Sequence, residues 1–192
     1  MIYTNTKIKC GWNEMMRRFS FKIAIIGDTG VGKTSLINQF VSRRFEKDYI
    51  STIGVNILLK DVELVIDETS YSVQLMLWDI GGQEKYSTVR HMFYQGANAC
   101  IIVFDITRPA TFLVVPDFLQ DLEEFLQRKI PLVILGNKLD LIDMRRVETE
   151  NGEKLKETTN ALAFFETSAK TGENVEQSFE IIAEACLKES LQ

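Results

Sequence analysis

The chain has 192 residues, 45% hydrophobic and 26% charged, which fits one ordinary domain able to bury a core without disulfides or metal. Its 22 Lys and Arg against 27 Asp and Glu leave a net charge of −5, which excludes a general nucleic-acid binder, so any bound anion must be held by local geometry. Three cysteines without a CxxC, and a single histidine, His91, exclude a disulfide framework, a zinc site and a His-based catalytic cluster.

Residues 1–18 stand outside the pattern of the rest and are expected to form a flexible extension before a domain over 19–192. Ile8, Trp12, Met15 and Met16 approximate one helical face with basic neighbours, so an interfacial helix stays open beside the flexible tail. Lys22–Gly27 reads as a short buried strand, and Thr34–Arg44 as a helix with Leu36, Ile37, Phe40 and Val41 on one face. Val55–Ile66 and Ser72–Ile80 predict two strands joined by a polar turn over 67–70, and in the second Val73, Leu75 and Leu77 alternate with Gln74, Met76 and Trp78. Further buried strands are expected over 99–106, 131–136 and 163–167, and helices over 86–96, 112–129, 151–161 and 174–190.

Strands alternating with helices predict an α/β domain with a mostly parallel sheet and an antiparallel strand at one edge. No apolar stretch reaches the ~18 residues of a membrane span. The start lacks a signal-peptide run, Ile2 excludes N-myristoylation and the last four residues lack a prenylation cysteine. The expected location is cytoplasmic, with peripheral attachment to membranes left open.

In open sheets of this kind ligands bind beyond the carboxyl ends of the strands. Gly27-Asp28-Thr29-Gly30-Val31-Gly32-Lys33-Thr34 lies between a predicted strand and helix and matches G-x-x-x-x-G-K-[ST]. Its glycines let successive N–H groups, from Asp28 through Ser35, turn inward at phosphate oxygens, and the helix adds its positive end. Lys33 supplies a charge to the β and γ phosphates, and the Thr34 hydroxyl suits Mg²⁺. Asp79, at the end of a strand, can hold Mg²⁺ through a water; Gly82 can turn its N–H to a γ-phosphate and Gln83 can orient an attacking water. Thr52, in Tyr49-Ile50-Ser51-Thr52-Ile53-Gly54, lies where a loop would close over the phosphates with its hydroxyl on Mg²⁺.

Asn137-Lys138-Leu139-Asp140 follows a buried strand. The Asp140 carboxylate can accept from the two donors on the guanine edge, which adenine lacks, and Lys138 can lay its methylene stem along the base. Thr167-Ser168-Ala169-Lys170 follows the last strand, and the Ala169 N–H suits the guanine O6. These features disfavour an adenine-nucleotide kinase.

Together these motifs resemble the Ras superfamily of small GTPases from about Phe21 to Leu187, and GDTGVGKTSL, YISTIGVN and Trp78-Asp79 look most like Rab proteins. The resemblance implies a P-loop NTPase fold with a six-stranded sheet and five helices. It implies a switch that binds GTP and GDP with Mg²⁺ and slowly hydrolyses GTP, with Lys33, Thr52 and Gln83 as its catalytic residues. It places Phe45 edge-on to a guanine held also by Asn137, Ser168 and Lys170, and Ile57, Trp78 and Phe93 on an effector-reading surface. An exchange factor, a GTPase-activating protein and effectors are the implied partners. The chain departs from Rab in the Arf-like Ile80-Gly81-Gly82-Gln83, where the extra glycine is expected to add backbone freedom, in Thr29 beside the γ-phosphate, and in a long hairpin between Thr52 and Asp79. The Thr29 and Gly81 departures keep open a GTP-binding scaffold with little or no hydrolysis.

Overall fold

The computed structural model describes residues 17–45, 52, 54–82 and 92–192. Six strands form one sheet: β1 (Arg17–Ile26), β2 (Val55–Ile66), β3 (Thr69–Ile80), β4 (Ala99–Asp105), β5 (Leu132–Asn137) and β6 (Ala163–Thr167). Their order is β2-β3-β1-β4-β5-β6, and only the β2–β3 pair is antiparallel. The helices are α1 (Lys33–Ser42), α2 (Pro109–Leu113), α3 (Val115–Leu126), α4 (Thr149–Thr159) and α5 (Val175–Leu191), with a 3-10 helix over Leu139–Met144.

β4 is buried along its whole length, as an apolar run between two helical layers must be. One core lies between the sheet and α1 with α5, where Phe40 and Phe179 stack with ring centroids 4.3 Å apart. The other lies under α3 and α4 and is centred on Tyr94, Ile102, Phe104 and Ile134. The alternation in β3 is realised, with Val73, Leu75 and Leu77 buried and Gln74, Met76 and Trp78 half-buried.

Three local features differ from the expectation. The hairpin turn is tighter: Ile66 pairs with Thr69, and Asp67 and Glu68 both take positive φ, 48° and 64°. That is the left-handed pair a two-residue turn needs to follow the strand twist, so Thr69 and Ser70 join the strand. The helix expected over 112–129 is split at Val114 into α2 and α3. Pro116 has no N–H to offer Phe112 four residues back, so the first helix stops there. β1 takes in Arg17 and Arg18, which pair with Tyr71 and Ser72, so the sheet starts before the expected boundary. The candidate interfacial helix face, Ile8 to Met16, lies outside the described residues, as does most of the helix expected over 86–96.

Candidate functional site

The carboxyl ends of β1, β3, β5 and β6 bring the predicted motifs to one edge of the sheet, and the end of β4 lies among them. The phosphate loop leaves β1 and enters α1 at Gly32, whose φ of 102° is left-handed. A Cβ there would lie 2.3 Å from the Asn137 amide nitrogen, so both conformation and space demand glycine. Val31 is fully buried and anchors the loop. Lys33 is buried, and its ammonium donates to the carbonyls of Gly27 at 2.8 Å and Asp28 at 2.9 Å. Ser35 is half-buried in the first turn of α1.

Thr34, Thr52 and Asp79 come from three separate segments and meet. The Thr34 hydroxyl donates to Asp79 Oδ2 at 2.5 Å, the two threonine hydroxyls lie 2.9 Å apart, and Thr52 donates to the same carboxylate oxygen at 3.3 Å. Asp79 is fully buried, and its other oxygen, Oδ1, has no hydrogen-bond partner among the described residues. Burial pushes the Asp79 carboxyl above its ordinary range, although hydrogen bonds from Thr34 and Thr52 and the charge of Lys33 pull it back. A buried carboxylate with an unpartnered oxygen needs a proton or a cation. Two hydroxyls and a carboxylate are hard oxygen donors, and they fit Mg²⁺, which keeps several waters and the substrate's own phosphates in its shell. No cluster of three or more His, Cys, Asp or Glu offers a rival metal site among the described residues.

Gly82 is pressed onto the phosphate loop: a Cβ there would sit 2.4 Å from the Gly27 carbonyl oxygen and 2.7 Å from the Thr29 nitrogen. Gly81 meets the Thr52 segment, donating its N–H to the Gly54 carbonyl at 2.9 Å. Its φ lies outside the left-handed region, and an added Cβ would fall 2.9 Å from the Thr52 carbonyl oxygen. The extra glycine, Gly81, therefore serves close approach, where added backbone freedom was expected.

On the other side of the loop, Asn137 is buried and braces three segments. Its Nδ2 donates to the Val31 carbonyl at 2.8 Å, while its Oδ1 accepts from Thr167 and from the Ala169 N–H, each at 3.3 Å. The Ala169 N–H expected at guanine O6 is thus turned to Asn137. Asp140 accepts from the Ser168 hydroxyl at 2.7 Å, and Lys170 lies 3.6 Å from its other oxygen. Lys138, at a φ of 77°, points its ammonium at Asp105, 2.7 Å away. Phe45 is exposed just beyond α1. Ile57 is exposed on β2, and Trp78 and Phe93 are half-buried beside the second core. Gln83 and Tyr49 lie outside the described residues, as do Tyr86 and Arg90, which the resemblance to small GTPases would place in the second switch.

Sequence reasoning missed Asp105 and Arg108. Asp105 ends β4, is fully buried, and accepts from Lys138, from Arg108 Nε at 2.9 Å and from the N–H and hydroxyl of Thr107 at 2.9 and 2.7 Å. Burial would raise its carboxyl, but these hydrogen bonds outweigh it and hold the group below the ordinary range. The available signal was an acid closing an otherwise apolar strand at the carboxyl edge of the sheet.

The Ras family model matches residues 22–188. The chain is 40% identical to the Ras-related protein Rab-7b of Paramecium octaurelia over 172 residues, covering 86% of this chain and 80% of that protein. It is 38% identical over 174 residues to the Ras-related protein Rab7 of Drosophila melanogaster, covering 87% and 80%. To human Ras-related protein Rab-30 it is 36% identical over 174 residues, covering 91% and 83%. The chain belongs to the Ras family as a Rab-like small GTPase, an enzyme that binds GTP and GDP with Mg²⁺, hydrolyses GTP, and acts as a switch in trafficking or signalling.

Proposed function

We propose that this chain runs its switch through the residues at the carboxyl edge of the sheet. Thr34 and Thr52 hold Mg²⁺ through their hydroxyls and Asp79 through a water. The bound ion offsets charge between the phosphates. Lys33 and the N–H groups of the phosphate loop hold the β and γ phosphates, and Gln83 orients the attacking water. Asp140, steadied by Ser168, reads the guanine edge, Lys138 lies along the base, and Phe45 meets it from the side. The observation that carries this reading is the meeting of Thr34, Thr52 and Asp79 around a buried carboxylate with one unpartnered oxygen.

Thr52 is tied to the metal side and Gly82 to the phosphate loop, so loss of the γ-phosphate releases both loops and changes the surface they present. An exchange factor, an activating protein and effectors would read that change, and the Ile57, Trp78 and Phe93 surface beside it suits an effector. No described helix is long and apolar enough to cross a membrane. Residence in the cytoplasm, with peripheral contact to membranes, is the location proposed.

Chromatography of the nucleotide released by denaturing the purified protein tests the reading. GDP from the wild type and GTP from Gln83→Leu are expected. GTP from both would support a scaffold that hydrolyses little, and adenine nucleotide from either would overturn the base assignment.

A further inference from the structure

Arg108 lies between the two halves of the nucleotide site. Its Nε donates to Asp105 Oδ2 at 2.9 Å, and its Nη2 donates to the Thr29 carbonyl in the phosphate loop at 3.0 Å. Asp105 is fully buried and holds Lys138 by the same oxygen, so one carboxylate joins the base-side lysine to the phosphate-side arginine. The arginine backbone is itself fixed. The N–H and hydroxyl of Thr111 both donate to the Arg108 carbonyl, at 3.0 and 2.8 Å, and Pro109 follows at the start of α2. Thr29 is thus held at both ends, since its N–H donates to Asp28 Oδ1 at 2.6 Å.

We propose that Arg108 is a positioning residue that clamps the Thr29–Gly30 peptide and makes the site favour the triphosphate over the diphosphate. A trans peptide is planar, with its C=O and N–H on opposite sides. Holding the Thr29 oxygen against Arg108 therefore turns the Gly30 N–H the other way. Gly30, at a φ of 72°, belongs to the curl of N–H groups that makes an anion-binding concavity. The inference rests on the assignment of residues 28–35 to the phosphates, with Thr29 on the γ side. A lysine cannot replace the arginine here. An ammonium is a single point charge that pairs Asp105, whereas the planar fork reaches two acceptors on different segments at once.

The test uses the full chain as wild type, Arg108→Ala and Arg108→Lys. Dissociation of fluorescent GDP and of a fluorescent non-hydrolysable GTP analogue is followed with Mg²⁺ present, and the GDP-bound forms are melted. Both variants are expected to release the GTP analogue about tenfold faster, the size of one charge-assisted hydrogen bond, with GDP release changed less than about twofold. Arg108→Lys should melt near the wild type because it keeps the Asp105 pair. Lysine restoring the wild-type GTP-analogue rate, or equal acceleration of both nucleotides, would overturn the clamp. The ratio of the two rates is read within each variant, so general loosening, which speeds both, cannot mimic the result. A wild type that retains neither nucleotide would overturn the site assignment and the clamp with it; one that retains both while the variants match it would overturn the clamp alone.

Discussion

The Gly81 N–H meets the Gly54 carbonyl at 2.9 Å, which stitches the segment after β3 to the segment before β2. Thr52 lies two residues from that stitch and Gly82 one residue from it, so the two proposed γ-phosphate sensors are linked through backbone. A methyl group on Gly81 would press on the Thr52 and Gly54 carbonyls, 2.9 and 3.1 Å from its Cβ. Those atoms are backbone and give way only if the Thr52 segment moves. Gly81→Ala is expected to cost about 1–2 kcal/mol of this contact. The readout is the Mg²⁺ dependence of GTP-analogue release, which should weaken, while the melting temperature of the GDP-bound protein holds. An unchanged Mg²⁺ dependence would show that the two segments move apart without affecting Thr52.

Asp79 sets the cost of leaving the metal side empty. Its carboxylate is fully buried and has one oxygen without a partner among the described residues. Asp79→Asn removes the buried charge but keeps the shape, so the protein stripped of metal and nucleotide should melt no lower than the wild type, and about 1–2 kcal/mol more stable if the charge dominates. The same change should abolish the slowing of GDP release by Mg²⁺. Chelation with EDTA, expected to speed release from the wild type, should then have no effect on the variant. A variant that still responds to EDTA would place the ion elsewhere.

The elements and the phosphate loop were legible because each rests on local periodicity or on a contiguous motif. Val73, Leu75 and Leu77 announce a half-buried strand by alternation, and Gly27 to Thr34 announce the loop by composition and order. The split between α2 and α3 was also written locally, in Pro116, but the apolar pattern runs through it and hides the break. What was not legible is pairing across the fold. Nothing near Arg108 in the chain signals that its side chain reaches Thr29, 79 residues away. Asn137 belongs to a readable motif, yet its bracing of Val31 and Ala169 depends on β5 lying beside β4 and β6, which only the sheet order supplies.

Asp105 should give the protein an acid-sensitive stability. Its carboxyl is held below the ordinary range, since hydrogen bonds from Lys138, Thr107 and Arg108 outweigh the burial that would raise it. An acid with a depressed folded pKa adds stability that is present above its unfolded pKa, about 3.9, and is lost as pH falls through the folded value. Asp105→Asn leaves Lys138 and Arg108 facing an amide. Both partners are partly exposed, at 32% and 43%, so solvent softens the loss. At pH 7 the expected cost is about 2 kcal/mol, between a surface pair and a fully buried one. Urea unfolding at pH 7 and below pH 3.5 checks the sign: the gap between wild type and variant should narrow in acid. A gap that stays constant would assign the loss to packing.

Asn137 offers the sharpest contrast with Arg108, because it holds the phosphate loop at Val31 and not at Thr29 and carries no charge. It is 1% exposed, and its amide satisfies the Val31 carbonyl and the Ala169 N–H together. Asn137→Ala leaves both buried groups without that partner. Each such group costs on the order of 1–3 kcal/mol, and some relaxation or an entering water recovers part of it, so a loss of about 2–4 kcal/mol in unfolding free energy is expected. Val31 and Ala169 belong to the loop and the base side alike, neither of them specific to the last phosphate. GDP and the GTP analogue should therefore leave faster by the same factor, whereas the arginine variants separate the two. Equal effects at Asn137 and unequal effects at Arg108 would assign general bracing to one residue and phosphate discrimination to the other. A triphosphate-selective effect at Asn137 would instead mean that the whole loop responds to the γ-phosphate as one unit.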